Sequence, residues 1–328
     1  MKIRSVTPPL LPEGERIVPV PPEEFHNVLD VLETAFPNTP RTLFSTLTLQ
    51  DPWRQTKFSL AVVKGKRYLA HIQIFDRSIY IDGVSVRIGG VGSVGSRPEC
   101  RGKGYPTALL RYGMDLMEEE GMGGSMLYTS IHPFYERLGW KTVNQYEQNI
   151  PVKKILRYIP KPIRHRSLRE NDYLYLQEIY GKNHARISGL MRRTPDYWRA
   201  RSIWMGHIPT VIERDGKPAA YFYAMQYNEK KPILTISEYG FSNPDEETLT
   251  QLLGTMARKA EETNCLSLRG FFRHNPDFGL FLDARDLIEN ESEHNYVMWK
   301  DIGAHKFDRR IQELASQRRW LYWTTDAF

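Results

Sequence analysis

The chain has 328 residues, which at roughly 150 residues per domain suggests about two domains and a remainder. Its 45 lysines and arginines stand against 39 acids, a formal charge of +6, with 41% hydrophobic and 26% charged residues. That balance excludes collagen-like and low-complexity chains. The absence of any run of about 18 apolar residues argues against a membrane span, while nucleic acid stays open as a partner until the positive charge is located.

Only Cys100 and Cys265 are present, too few for a disulfide framework. The amino terminus, MKIRSVTPPLLPEGER, is broken by prolines and acids where a secretory peptide needs a continuous apolar stretch. The expectation is a cytoplasmic protein with reduced thiols. No Cys/His cluster has zinc-ligand spacing, so no metal is expected.

In chain order, Pro21-Pro22-Glu23-Glu24 opens a helix with Val28, Leu29, Leu32 and Phe36 on its apolar side. Strands are predicted over 59–63 and 68–75, joined at Lys64-Gly65-Lys66. A hairpin follows: Ile79 and Ile81 alternate before Asp82-Gly83, and Val84, Val86 and Ile88 after it. Beyond the glycines of 89–95 a helix begins near Tyr105, with Leu109, Tyr112, Gly113, Leu116 and Met117 on one face. A strand at 126–130, a short helix at 132–138 and a strand at 141–150 close the first unit.

Residues 151–169, PVKKILRYIPKPIRHRSLR, hold seven lysines or arginines and no acid. Setting these aside leaves 38 bases against 39 acids, so the whole positive excess sits in what reads as a basic linker. A charge confined there is weak ground for a nucleic-acid partner. From Glu170 the pattern recurs: helices to 184 and over 196–204, a hairpin of 210–213 and 219–227 turning at Asp215-Gly216, a strand at 234–241, a helix at 245–263 and a strand at 265–270. This reads as an internal duplication of architecture. A last helix over 303–317 precedes the aromatic end, WLYWTTDAF.

The chemistry concentrates in VGSVGSRPECRGKGYPTALL, residues 91–110. Strand, Arg-Gly-Lys-Gly loop and helix follow in succession. Gly102 and Gly104 let the backbone turn and approach a ligand. The helix start adds unsatisfied amides and the positive end of its dipole. With Arg101 and Lys103, this makes an anion site suited to a pyrophosphate. The spacings are neither those of a Walker A loop nor of a Rossmann fingerprint.

On these residues the sequence resembles the GNAT acetyltransferase superfamily, whose Arg/Gln-x-x-Gly-x-Gly/Ala signature binds the pyrophosphate of acetyl-CoA. Arg101, Gly104 and Pro106 fall on it. Pro106 departs from the pattern and removes one amide donor at a position where a helix tolerates proline. The run Phe134-Tyr135-Glu136-Arg137-Leu138-Gly139-Trp140 resembles the family's Phe-Tyr-x-x-Leu-Gly-Phe element, whose tyrosine protonates the departing CoA thiolate. The resemblance implies cofactor contacts from Val94, Gly95 and Ser96 to the pantetheine arm. It places Arg101, Gly102, Lys103, Gly104, Tyr105 and Pro106 at the pyrophosphate, Ser130 and Ile131 at the acetyl end, and Tyr135 as general acid.

The tandem layout resembles the Eis-like branch, as do the tracts Arg192-Arg193-Thr194-Pro195-Asp196-Tyr197-Trp198 and Ile236-Ser237-Glu238. In that branch a terminal phenylalanine carboxylate acts as general base, which implies Phe328 here. A bound water, Glu33 or His132 are the other candidates, and the aromatic end also reads as a strand completing the second unit. Cys100 has no histidine at a spacing that would make it a nucleophile. In the second half, Asp245, Glu246 and Glu247 occupy the helix start that would have to receive a pyrophosphate and would repel it. That half is expected to wall the substrate cleft, with Trp198, Trp204, Tyr221 and Tyr223 as candidates.

The expected fold is α+β: two tandem GNAT-like domains, each a mostly antiparallel sheet flanked by helices. The divisions are 1–152 (catalytic), 153–169 (basic linker), 170–300 (degenerate) and 301–328 (helix and aromatic tail). The expected activity is acetyl-CoA-dependent N-acetyl transfer to a primary amine of a small molecule or peptide. The alternatives are a non-catalytic acyl-CoA-binding regulator and, third, a nucleic-acid-associated protein. The Eis-like resemblance also implies a homo-oligomer, and no membrane partner is expected.

Overall fold

The computed structural model describes residues 11–159, 165–182, 187–205, 208–226, 232–326 and 328, with only the backbone at 202–205. In the first half, β1 (Glu15–Pro19) precedes helices α1 (Phe25–Ala35) and α2 (Arg41–Leu49). Strands β2 (Ser59–Lys64), β3 (Arg67–Ile81) and β4 (Val84–Ser96) then lead to α3 (Tyr105–Glu119). Strand β5 (Gly124–Tyr128), α4 (His132–Glu136), β6 (Lys141–Thr142) and β7 (Gln145–Pro151) follow.

The second half starts with α5 (Val152–Tyr158), β8 (His165–Ser167), α6 (Tyr173–Gly181) and α7 (Pro195–Met205). Strands β9 (Thr210–Arg214), β10 (Lys217–Met225) and β11 (Ile233–Phe241) precede α8 (Glu246–Glu262). It ends with β12 (Ser267–Gly270), α9 (Pro276–Asp283), β13 (Asn290–His294), β14 (Val297–Asp301) and α10 (Asp308–Ser316).

The Asp82-Gly83 hairpin forms as predicted, with both residues left-handed at φ 48° and 79°. Its first arm is one 15-residue strand, where the sequence suggests two. The polar pair that interrupts the apolar pattern finds charged partners in place. Asp76 receives Arg87 at 2.7 Å and Gln55 at 3.0 Å, and buried Arg77 meets Asp51 at 3.0 Å.

The fourteen described strands form two seven-stranded sheets, ordered β1-β2-β3-β4-β5-β14-β6 and β13-β7-β12-β11-β10-β9-β8. Only β4–β5 and β11–β12 are parallel. The predicted closing strand at 141–150 is corrected here. Lys141 and Thr142 stay in the first sheet, but β7 inserts between β12 and β13 of the second, and β14 takes the matching slot between β5 and β6. Each sheet therefore holds one strand of the other half.

The buried polar residues of β7 explain its destination. Gln145 donates to the Tyr322 carbonyl, and Gln148 bonds Glu291 at 2.7 Å and the Arg273 amide at 2.9 Å. These partners all come from the second half, and without them Gln145 and the Gln148 carbonyl oxygen would be buried unpaired. In exchange β14 delivers Val297, Met298 and Trp299, all fully buried, to the first sheet. The Trp299 ring lies where a Cβ on Gly124 would come within 2.2 Å of it.

The described parts of the basic segment are ordered against the second half. Helix α5 buries Val152 and Ile155, and Arg166 in β8 pairs with Asp172 and Glu213. A further join runs along β3: Gly189 donates to the Tyr80 carbonyl at 2.7 Å, Tyr80 to Leu190 at 2.9 Å and Arg192 to Ser78 at 2.7 Å.

Trp299→Ala is expected to cost about 3–5 kcal/mol in urea unfolding, the usual range for emptying a buried tryptophan site. Residues 1–152 expressed alone leave β5 without β14 and are expected to lack the cooperative transition of the full chain.

Candidate functional site

The ladder between parallel β4 and β5 stops at Val91–Leu127, while β4 continues to Ser96. Beyond that point β4 bulges against β3: Gln73 faces Gly92, but His71 faces Gly95. The extra residue is accommodated at Ser93, whose φ is 50°, a conformation that a non-glycine residue adopts only when its surroundings hold it there. Buried His71 does so. Its Nδ1 lies 3.2 Å from the Ser93 carbonyl and its Nε2 lies 3.1 Å from Ser59 Oγ. A carbonyl can only accept, so Nδ1 carries the proton and Nε2 accepts from the hydroxyl. Burial drops the His71 pKa to about 3 against the weaker pull of the Ser93 bond, so the ring is neutral. Sequence inspection missed this residue; a histidine inside an apolar strand is its only trace.

Val94, Gly95 and Ser96 lie where β4 has run past its ladder with β5 and keeps β3 as its partner, with Gly95 pressed against Ala35 and Leu32 of α1. Next comes the loop. Arg101, Gly102, Lys103 and Gly104 are exposed, and both glycines are left-handed at φ 77° and 79°. Gly104 is the N-cap of α3, and no side chain caps that end. The amides of the first turn and the positive end of a 15-residue helix thus face the loop with two cations beside them. Tyr105 turns its ring into the core, so it presents its backbone there, and Pro106 supplies no amide.

The second half is closed at the equivalent point. Asp245 caps α8 by accepting the Thr248 amide at 2.9 Å, and Arg214 pairs with Asp245 and Glu247, both at 3.1 Å.

Tyr135 sits in α4, just past the end of β5, edge-on to Phe134 and Trp140. Burial pushes its phenol up to about 12, which keeps it protonated at neutral pH. Ser130 and Ile131, between β5 and α4, are exposed.

The end of the chain reaches the same strand. Phe328 lies over β4: a Cβ on Gly90 would fall 2.1 Å from its ring, and one on Gly92 would fall 2.9 Å from its backbone carbonyl carbon and 3.0 Å from the oxygen on it. The ring also stacks on Phe75 and packs against Tyr322. Glycines 90 and 92 thus form the floor on which the tail rests, a role hidden in a stretch that reads only as glycine-rich. Of the other base candidates, Glu33 is exposed and paired with Arg41, and His132 holds the Asn295 carbonyl at 2.7 Å. Cys100 is buried.

The expected cleft wall is corrected. Trp198, Tyr221 and Tyr223 are fully buried in the second domain, where they surround buried charges and cannot face a substrate. The side chain of Trp204 lies outside the described residues. Among the described residues no helix is long and apolar enough to cross a membrane, and no group of three or more His, Cys, Asp or Glu could hold a metal ion.

Residues 16–143 match the family described as "Acetyltransferase (GNAT) domain". The match covers the loop at 101–104, the start of α3 and Tyr135. No curated protein matches the chain by sequence. Solved structures share its fold across both halves. A GCN5-related N-acetyltransferase from Kribbella flavida is 19% identical over 88% of this chain and 71% of that one, with a TM-score of 0.69. Eis1 from Mycobacterium abscessus is 14% identical over 88% and 73%, with a TM-score of 0.61. An N-myristoyltransferase from Saccharomyces cerevisiae with bound myristoyl-CoA is 13% identical over 92% and 82%, also at 0.61.

Gly90→Ala is expected to lower Tm by lifting the tail, and Phe328→Ala in the same chain to recover most of that loss. An equal loss in both backgrounds would remove the ring from this position. For pH, the buried imidazoles of His71, His274 and His294 have pKa values lowered to about 3, 4 and 4, each chiefly by burial. The unfolded chain therefore binds protons that the folded one refuses, so stability falls as pH drops from about 6.5 toward 4. Thermal melts across that window should show the fall, and His71→Gln should make it shallower, with the shares of His274 and His294 remaining.

Proposed function

We propose that the protein transfers an acetyl group from acetyl-CoA directly to a primary amine of a small molecule or peptide. The observation that carries this reading is one strand, β4, meeting three things: an uncapped, cation-flanked helix start, a bulge beside an open strand gap, and a carboxylate. Arg101 and Lys103, with the amides of Gly102, Gly104 and Tyr105, hold the pyrophosphate. Pro106 shapes that turn without donating. Val94, Gly95 and Ser96 offer strand edge to the pantetheine arm, and Ser130 and Ile131 border the acyl end.

The amine nitrogen attacks the thioester carbonyl. The Phe328 carboxylate takes the proton the nitrogen sheds, and Tyr135 gives its phenolic proton to the departing thiolate. Burial raises the Tyr135 pKa, which makes it a reluctant donor. The same dry surroundings raise the basicity of a thiolate held beside it, which keeps the transfer balanced.

Acetyl-CoA should raise the Tm of the native protein, and Arg101→Glu should abolish the shift. Tyr135→Phe should lower the rate of free-thiol release by about 100-fold, within the range of general-acid effects, while leaving the shift intact. A shift with no thiol release across polyamines, aminoglycosides, amino acids and peptides would indicate a binding protein instead.

A further inference from the structure

We propose that the buried cluster of Arg193, Arg201, Glu238 and Asp326 in the second domain is a positioning device for the reaction in the first, fixing the tail so that the Phe328 carboxylate rests at Gly92. The proposal depends on Phe328 being the base.

The place of the cluster is the first argument. Strand β11 leaves β12 after Ile236–Gly270, and Glu238 stands two residues beyond, as Ser93 stands two residues beyond Val91–Leu127 in the first sheet. The charges therefore fill, in the second copy, the spot that the β4 bulge occupies in the first. What would be a reaction centre has become an anchor.

The second argument is the bonding. All four charged side chains are fully buried, two positive and two negative. Glu238 accepts both terminal nitrogens of Arg193 at 2.8 Å, a third bond from Arg201, and the hydroxyls of Tyr221 and Thr325 at 2.7 Å. Asp326 accepts Arg193 at 2.6 and 3.2 Å and Tyr197 Oη at 3.0 Å, while Tyr322 donates to its carbonyl. Arg193 and Arg201 also lie over the rings of Tyr180 and Tyr223, at 4.0 and 4.6 Å. Burial opposes the charge on Glu238, but the two arginines outweigh it and hold the carboxyl well below its usual range.

Two of these partners, Thr325 and Asp326, belong to the tail, and Phe328 follows two residues later. Two residues span about 7 Å at full stretch, so the anchor confines the carboxylate to a small region. A second path leads the same way. Tyr197 stacks on Trp53 at 4.9 Å, and Arg77 lies over Tyr197 and over Phe75, on which the Phe328 ring stacks. Buried ion pairs add little net stability compared with apolar packing, but they fix register. An apolar tail alone could slide along its groove; a forked guanidinium on two carboxylates does not permit this.

The test is a double-mutant cycle on the full chain, read as kcat and as the Kd of acetyl-CoA. The first change is Asp326→Asn. The second appends Gly-Gly after Phe328, turning its carboxylate into an amide. Each alone is expected to cut kcat by up to about 100-fold, the scale of misplacing a catalytic group by about 1 Å, with the Kd unchanged within about twofold. Together they should cost no more than the extension alone. Losses that multiply, or an unaltered kcat for Asp326→Asn, overturn the proposal while leaving the base in place. An unaltered kcat for the extended chain removes the base itself. If Asp326→Asn does not fold, Thr325→Val takes its place in the cycle, since it deletes one bond to Glu238 and no charge.

Discussion

Two strands trade sheets, and the relation between the domains follows from that trade. With β14 beside β5 and β7 beside β12, neither sheet is complete without the other half, and moving one domain against the other would expose strand edges and the Trp299 pocket. Rigid coupling is what allows a segment rooted in one domain to make a defined contact in the other. The tail uses it. It leaves α10, crosses the second domain at Tyr322 and Asp326, and ends on Gly90 and Gly92 of the first sheet.

The two copies of the architecture have diverged at matching points. In the first, the helix after the parallel strand starts uncapped behind two left-handed glycines; in the second, Asp245 caps it and Arg214 neutralises the carboxylates there. In the first, the strand past the last parallel pair bulges around neutral His71. In the second, the same stretch carries Glu238 and is sealed by arginines and aromatic rings. One copy keeps an open strand edge and an anion site, while the other spends its interior on holding the chain end.

Much of this was legible in the sequence, where the cause is local. The Asp82-Gly83 turn, the amphipathic helices and the Arg-Gly-Lys-Gly loop depend on residues within a few positions of one another, and each forms where the pattern places it. The destinations of β7 and β14 were not legible. A strand such as QYEQNIP shows no clean alternation, and its glutamines declare their sheet only once Tyr322 and Glu291 are in place. Glu238 in an apolar strand announces a buried charge, but nothing nearby in sequence names Arg193 or Asp326 as its partners. The aromatics around it read as a cleft wall for the same reason: periodicity marks a buried face and is silent about what that face covers. Phe328 was singled out by residue type and family likeness, whereas its contact with Gly90 and Gly92 depends on the whole fold.

The central claim is that the chain end supplies the base at the β4 bulge. The most direct measurement is a crystal structure with a conjugate of CoA and an amine acceptor bound. The account predicts a Phe328 carboxylate oxygen within about 2.6–3.2 Å of the acceptor nitrogen, or joined to it through one water. A carboxylate turned away from that nitrogen, with another side chain in its place, would contradict it.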